Sequence, residues 1–211
     1  MGATHKSFIP AAGTDWLLPF YDFFTRLLGA DAVHKRLIKQ ASVRPGDFVL
    51  EIGCGTANLA ILAKRSNPAA EVFGIDPDPK ALARARKKAS SNGLKLEFRE
   101  AFTEDLPFAD ASFDKVFSAF MLHHIDPECR VTALLEVRRV LKPGGSLHLA
   151  DFEHGEHPRS HHSPHAPRGI SPSHAQSGIS LLMEEAGFRE ARRVASQGSA
   201  LGAIAYYEAV R

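Results

Sequence analysis

The stretch VLEIGCGTANLA, residues 49–60, joins an apolar run to two closely spaced glycines and a helix-forming segment. This order predicts a buried strand that turns sharply into a helix, because Gly53 and Gly55 let the backbone bend and a ligand approach without meeting a Cβ atom. Twenty-one residues after Gly55, Asp76 ends the next apolar run, EVFGID. A carboxylate at that point can accept hydrogen bonds from both hydroxyls of a ribose. The spacing therefore predicts a nucleoside site at the carboxyl ends of two adjacent strands.

The glycine pair alone is a weak signal, because plain tight turns also use glycines. The strand–turn–helix context and the position of Asp76 favour a ligand-binding loop over a structural turn. A nicotinamide dinucleotide is disfavoured, because Asn58 stands at the position of the third glycine of G-x-G-x-x-G.

Around this loop the chain alternates strands and helices, which predicts a parallel sheet with helices on both faces. Strands are expected at residues 47–52, 71–75, 95–99, 113–117 and 146–152, with helices at 15–28, 32–40, 56–65, 79–90, 128–141 and 178–186. Two closing strands, 188–194 and 201–210, are expected to be joined by a turn at 196–198.

Composition excludes several classes of protein. The chain has 211 residues, 44% hydrophobic and 24% charged, so it can bury a core, and its net charge of +2 is far from that of a dedicated nucleic-acid binder. Its two cysteines, Cys54 and Cys129, cannot form a disulfide framework or a four-thiolate zinc site. We find no signal peptide and no membrane-spanning run, so we expect a cytoplasmic protein without a stable membrane anchor.

The sequence resembles the class I S-adenosylmethionine-dependent methyltransferases, in particular the branch that methylates quinones and other small molecules. The motifs that carry the resemblance occur in order: EIGCGT with Asp76, then residues 104–125, 136–147 and 181–188. The resemblance implies a Rossmann-like, doubly wound α/β fold with seven strands, the last of them antiparallel. We expect one methyltransferase domain over residues 1–211, with lid helices in 1–44, a cofactor-binding core in 45–152, a His-rich loop in 153–177, and a helix and closing strands in 178–211.

The resemblance also implies S-adenosylmethionine as cofactor, S-adenosylhomocysteine as product and a small-molecule acceptor with an oxygen, nitrogen or carbon nucleophile. In this family Asp76 would hold the ribose, with Pro77 near the adenine. Phe102 stands where an Asp usually accepts from the adenine amino group, so either Phe102 would pack or stack there instead, or Glu104 would take the place of that Asp. The other implied cofactor contacts are Glu51, Gly53, Cys54 and Gly55 around the methionine part, Thr103 and Glu104 near the adenine, and Ala119 and Phe120 near the sulfonium.

Three residues are candidates for catalysis. His123 and His124 follow the fourth expected strand, and a histidine there can remove a proton from the acceptor or orient it. The alternative is that both serve only local structure. Tyr21, on the first expected helix, would touch the methionine carboxylate or the substrate, or else belong to a plain amphipathic helix.

The His-rich segment contains six of the eleven histidines, and its HH-x-x-H spacing resembles that of metal ligands. Because cysteines are missing there, we predict a solvated loop and no functional metal site. A protein that binds S-adenosylmethionine without catalysis remains the alternative to an enzyme.

Overall fold

The computed structural model describes residues 30–153, 178–199 and 202–211. The described residues form one seven-stranded sheet in the order β3-β2-β1-β4-β5-β7-β6. Its strands are β1 (Phe48–Ile52), β2 (Glu71–Asp76), β3 (Glu97–Glu100), β4 (Phe113–Ala119), β5 (Leu141–Phe152), β6 (Arg189–Ser199) and β7 (Gly202–Val210). The helices are α1 (Ala30–Ala41), α2 (Asn58–Ser66), α3 (Pro79–Ser91), α4 (Arg130–Val140) and α5 (Gly178–Glu185).

The direction of the strands brings the expected site residues to one edge. Strands β1 to β5 are parallel, and β7 pairs antiparallel with both β5 and β6. The carboxyl ends of β1, β2, β4 and β5 therefore meet at the same edge of the sheet, where a doubly wound fold binds its ligands. This confirms the predicted fold class, including the antiparallel last strand.

Two apolar cores cover the two faces of the sheet. Helices α1, α2 and α3 pack on one face around Leu37, Leu59 and Leu82, all buried. Helices α4 and α5 pack on the other face around Leu134 and Met183. Side chains that alternate along a strand point to opposite faces, so each central strand contributes to both cores.

The N-terminus of α3 forms as the sequence predicts. Pro79 occupies the first turn, and the Asp78 side chain accepts a hydrogen bond from the Lys80 backbone N–H at 2.8 Å. This cap satisfies a donor that a helix start leaves without a partner.

Several expected boundaries differ from the structure, among them the helix expected at 128–141, which spans Arg130–Val140. Three of the differences have a clear physical reason. The expected turn at 196–198 lies inside β6, where Ser196 and Gly198 pair with Ala205 and Ala203. Strand β5 begins at Leu141 rather than Ser146, because Leu141 already pairs with Phe113 and residues 142–145 form an irregularity in the ladder. Helix α2 begins at Asn58 rather than Thr56, because residue 57 has the left-handed φ of 63°.

The expected first helix at 15–28 and nearly all of the His-rich segment lie outside the described residues. Within the described part of the chain, none of the helices has the length and apolarity needed to cross a membrane.

Candidate active site

The loop after β1 has the backbone geometry that its glycines predict. Gly53 and Gly55 have φ values of +62° and +50°, which L side chains rarely adopt. Among the described residues, no atom lies within 4 Å of the position that a Cβ on Gly55 would take. A Cβ on Gly53, in contrast, would lie 2.2 Å from Cγ of Met121. The backbone at Gly55 is therefore open to a ligand, whereas Gly53 is covered by the Met121 side chain.

Asp76 ends β2 and holds this loop in place. Its Oδ2 accepts a hydrogen bond from the Gly55 N–H at 2.8 Å, and its Oδ1 accepts one from the Asp78 N–H at 2.9 Å. Burial raises the pKa of the Asp76 carboxyl, and these two backbone donors oppose the rise. Each carboxylate oxygen has a further lone pair, so the group keeps the capacity to accept hydrogen bonds from a ligand.

Glu51 supports the same loop from within β1. Its side chain is buried, and its Oε2 accepts a hydrogen bond from the Ala60 N–H at 2.7 Å, near the start of α2. Burial raises the pKa of the Glu51 carboxyl from 4.5 to about 8, although this hydrogen bond acts in the opposite direction. Glu51 is thus a buried acid that gains from a cationic group placed beside it.

The sequence reasoning missed Lys88 as a residue that holds the loop. This lysine lies near the end of α3, and its Nζ donates to Thr56 Oγ1 at 3.0 Å and to Asn58 Oδ1 at 2.9 Å. The contacts fix the first residues of α2 against α3. Lys88 is one of several basic residues on α3, so nothing in the sequence singled it out for this contact.

The loop after β3 carries the residues expected near the adenine. Residues 102–105 form a turn in which the Asp105 N–H donates to the Phe102 carbonyl at 3.2 Å. Thr103 is buried, and its Oγ1 lies 4.0 Å from the sulfur of Met121, the residue that covers Gly53. Phe102 and Glu104 are half-buried in the same turn. This turn is therefore joined to the glycine loop through Met121, a residue that the sequence reasoning also missed.

His123 and His124 lie at the same edge, in a 3-10 turn over Leu122–His124 that follows β4. The chain reaches this turn through Phe120, whose φ is +56° and whose N–H donates to the Ala150 carbonyl at 2.9 Å. The two imidazole rings have centroids 4.0 Å apart. Partial burial and the neighbouring His123 lower the pKa of His124.

A third functional group in this cluster is the Asp151 carboxylate near the end of β5, which the sequence reasoning did not select. Its Oδ1 lies 2.6 Å from His123 Nδ1, and Asp151 is only 1% exposed. A carboxylate in the apolar strand SLHLADF, two residues before the His-rich segment, was the available signal.

The remaining predicted residues divide into two groups. Cys54, Pro77 and Ala119 lie at the carboxyl edge with the groups above, and burial raises the pKa of the Cys54 thiol well above its ordinary value. Tyr21 lies outside the described residues. Over residues 30–153, 178–199 and 202–211, no group of three or more His, Cys, Asp or Glu side chains is placed to hold a metal ion.

Comparison with known proteins finds methyltransferases that are similar to part of this chain. Residues 49–145 match the family model described as a methyltransferase domain. The chain is 41% identical over 140 residues to the demethylmenaquinone methyltransferase of Thermus thermophilus, a match that covers 64% of this chain and 62% of that protein. It is 43% identical over 116 residues to the ubiquinone/menaquinone biosynthesis C-methyltransferase UbiE of Bordetella avium, covering 54% of this chain and 44% of that protein.

A solved structure shows the same fold as the described residues. The crystal structure of a SAM-dependent methyltransferase from Aquifex aeolicus aligns with a TM-score of 0.68 at 20% identity, covering 92% of this chain and 96% of that one. The described residues therefore share the Rossmann-like fold of that methyltransferase. Residues 49–145 are thus similar to a methyltransferase domain, and the two relatives are named as quinone methyltransferases. It spans about half to two thirds of the length of the quinone methyltransferases that it matches.

The donor set of the site fits S-adenosylmethionine, the cofactor that the resemblance implies. S-adenosylmethionine has a ribose with two hydroxyls and an amino-acid part with an ammonium group. The open backbone at Gly55 and the acceptor oxygens of Asp76 suit the ribose, and the buried acid Glu51 suits a cation.

Proposed function

We propose that this chain is an S-adenosylmethionine-dependent methyltransferase that acts on a small aromatic acceptor of the quinol type. The observation that carries the proposal is the Asp76 carboxylate, fixed at the end of β2 beside the open backbone of Gly55. The acceptor class comes from the relatives, which are named for demethylmenaquinone and for ubiquinone and menaquinone biosynthesis.

In this proposal the chain binds and orients both reactants. Asp76 accepts hydrogen bonds from the ribose hydroxyls, and Glu51 with the loop at Gly53, Cys54 and Gly55 surrounds the methionine part. Pro77, Phe102, Thr103 and Glu104 border the adenine, while Ala119 and Phe120 lie on the side of the reacting methyl group. When bound, S-adenosylmethionine supplies a methyl group on a positively charged sulfur.

Alignment and exclusion of water supply most of the rate enhancement in such a displacement. His123 and His124 stand at the same edge as the cofactor loop, so the proposal places the acceptor over the 3-10 turn that contains them.

Binding of S-adenosylhomocysteine tests the cofactor assignment. We expect micromolar binding by calorimetry to the unaltered protein, no binding of NAD, and at least a tenfold loss of affinity in Asp76→Asn. Asp110→Asn is the matched control, because Asp110 is exposed and pairs with Arg139 away from the glycine loop. Equal affinity in both variants contradicts the assignment of Asp76.

Turnover tests the activity itself. The protein is incubated with methyl-labelled S-adenosylmethionine and chemically reduced naphthoquinones that lack a ring methyl, and label in the organic extract is counted. Label transfer supports the enzyme. Binding of S-adenosylhomocysteine without transfer to any acceptor in a broad set of phenols, quinols and amines favours the alternative, a protein that binds the cofactor without catalysis.

A further inference from the structure

The carboxylate of Asp151 makes two of its three hydrogen bonds to one residue, His123. Oδ1 lies 2.6 Å from His123 Nδ1, and Oδ2 accepts the backbone N–H of His123 at 3.2 Å. Oδ1 also accepts the backbone N–H of Phe152 at 2.8 Å. One buried side chain thus fixes both the ring and the backbone of His123.

The sheet explains why these two residues meet. Strands β4 and β5 are parallel neighbours, and Ala119 pairs with Ala150, so the residues that follow leave the sheet side by side. The positive φ of Phe120 then redirects the chain, and the His124 N–H closes the 3-10 turn on the Met121 carbonyl at 2.9 Å. This turn places the ring of His123 over the end of β5.

The contact determines which nitrogen of His123 can act as a base. In a neutral imidazole one nitrogen donates and the other accepts, and a carboxylate oxygen on Nδ1 selects the form with its proton on Nδ1. The basic lone pair is then on Nε2. The His123 side chain is 18% exposed whereas that of Asp151 is 1% exposed, so the ring reaches the surface of the site and the carboxylate does not.

His123 also has packing that restricts its ring. Phe152 meets it edge-on, with ring centroids 5.5 Å apart, and the ring of His124 lies 4.0 Å away on centroids. Phe120 packs in turn on Phe152, with centroids 5.1 Å apart. These contacts keep the ring in one orientation, which proton transfer requires.

We propose that Asp151 is a positioning residue that holds His123 as the base for an acceptor hydroxyl group. The acceptor is therefore a phenol or a hydroquinol rather than an amine or a thioether. This inference rests on the proposed function and adds the residue that receives the proton of the acceptor and the residue that positions that base.

The proposed step balances without a further reactant. The acceptor O–H bond breaks and its proton goes to His123 Nε2, while Asp151 stabilises the imidazolium that forms. The electron pair left on the oxygen, or on a ring carbon conjugated with it, forms the bond to the methyl carbon. The bond from that carbon to sulfur breaks, and its electron pair stays on sulfur. On a ring carbon, the displaced ring proton then leaves to solvent and the oxygen regains a proton.

The first test reads the ring itself and needs no substrate. Long-range ¹H–¹⁵N correlation spectra of the full chain report which nitrogen of each neutral histidine carries the proton, and His123→Gln assigns the signal. We expect the Nδ1-protonated form for His123 in the unaltered protein. The Nε2-protonated form as the main species overturns the proposal, whether or not an acceptor has been found.

The second test separates positioning from structure. Asp151→Asn keeps the shape and the capacity to accept from Nδ1–H but removes the charge that stabilises the imidazolium. We expect kcat with reduced naphthoquinone to fall roughly 10²–10⁴-fold, the range for general-base catalysis, with KM and the Kd for S-adenosylhomocysteine changed less than about threefold. Asp114→Asn is the matched control, because Asp114 also accepts a backbone N–H and pairs with a cation, Lys142, but lies at the opposite edge of the sheet.

The outcomes distinguish this inference from the proposed function. Unchanged kcat in Asp151→Asn overturns the role of Asp151 even if the protein is a methyltransferase. If the unaltered protein fails to bind S-adenosylhomocysteine, the proposed function fails first. If reduced naphthoquinone is not turned over, the spectrum of His123 decides the assignment of the base.

Discussion

Replacing Glu51 with glutamine should change how the stability of the protein depends on pH. Glu51 is buried, and burial raises the pKa of its carboxyl from 4.5 to about 8. Between these pH values the unfolded chain has lost the proton while the folded chain keeps it. Stability contributed by this group is therefore fully present below pH 4.5 and is lost as the pH rises to about 8. Glutamine keeps an oxygen for the Ala60 N–H and cannot ionise.

The size of the effect follows from the difference in pKa. Each pH unit within this window removes about 1.4 kcal/mol, so the unaltered protein loses roughly 5 kcal/mol relative to Glu51→Gln between pH 4.5 and pH 8. A domain has only about 5–15 kcal/mol of stability in total. Without cofactor the protein should therefore be markedly less stable at pH 8 than its variant.

Urea unfolding followed by circular dichroism measures this difference at half-unit steps from pH 4.5 to pH 8.5. Subtracting the two curves cancels the contributions of all other titrating groups. Glu100→Gln, which changes an exposed carboxylate at the end of β3, serves as the control and should run parallel to the unaltered protein. If the curve of Glu51→Gln also runs parallel to that of the unaltered protein across this range, Glu51 is ionised in the folded protein and the reasoning is refuted.

Two further predictions concern the packing around Gly74 and the buried side chain of His148. A Cβ on Gly74 would lie 2.9 Å from both Cys54 Sγ and a ring carbon of Phe98, so Gly74→Ala should lower the free energy of unfolding by about 1–3 kcal/mol in urea titration. The control is Gly178→Ala, whose added Cβ would have no described atom within 4 Å. It should leave the free energy of unfolding nearly unchanged, and equal effects of the two substitutions would contradict the packing argument. Burial lowers the pKa of His148 from 6.5 to about 3, so its contribution to stability is full above pH 6.5 and lost as the pH falls toward 3. His148→Gln should flatten the acid side of the stability profile in urea unfolding from pH 4 to 7, and an unchanged acid slope would refute this.

The sequence predicted the elements whose pattern is local. Apolar runs followed by Gly53, Gly55 or Asp76 indicated strands that end at a ligand site, and the Asp78–Pro79 pair marked a helix start that the structure confirms. These signals depend on residues within a few positions of each other. For that reason the core strands and the glycine loop were predictable before any contact was known.

Contacts between distant segments could not be predicted in the same way. Asp151 meets His123 across 28 positions in sequence, and Lys88 reaches Asn58 across 30. Both contacts depend on which elements become neighbours in the fold and on how the chain turns between them. The turn wrongly expected at 196–198 has a related cause, because Ser196 and Gly198 favour a turn locally while pairing with β7 extends the strand through them.

The place of β7 between β5 and β6 also affects how the protein is made. Strand β6 pairs with no other described strand than β7, and β7 is the last of the described strands. During synthesis β6 therefore leaves the ribosome before its partner exists, and the sheet is completed only when residues 202–210 insert beside β5. A premature stop codon before Gly202 would remove a strand from the interior of the sheet. Strand β5 would then become an exposed edge and β6 would lose its partner, which makes the truncated chain prone to aggregate.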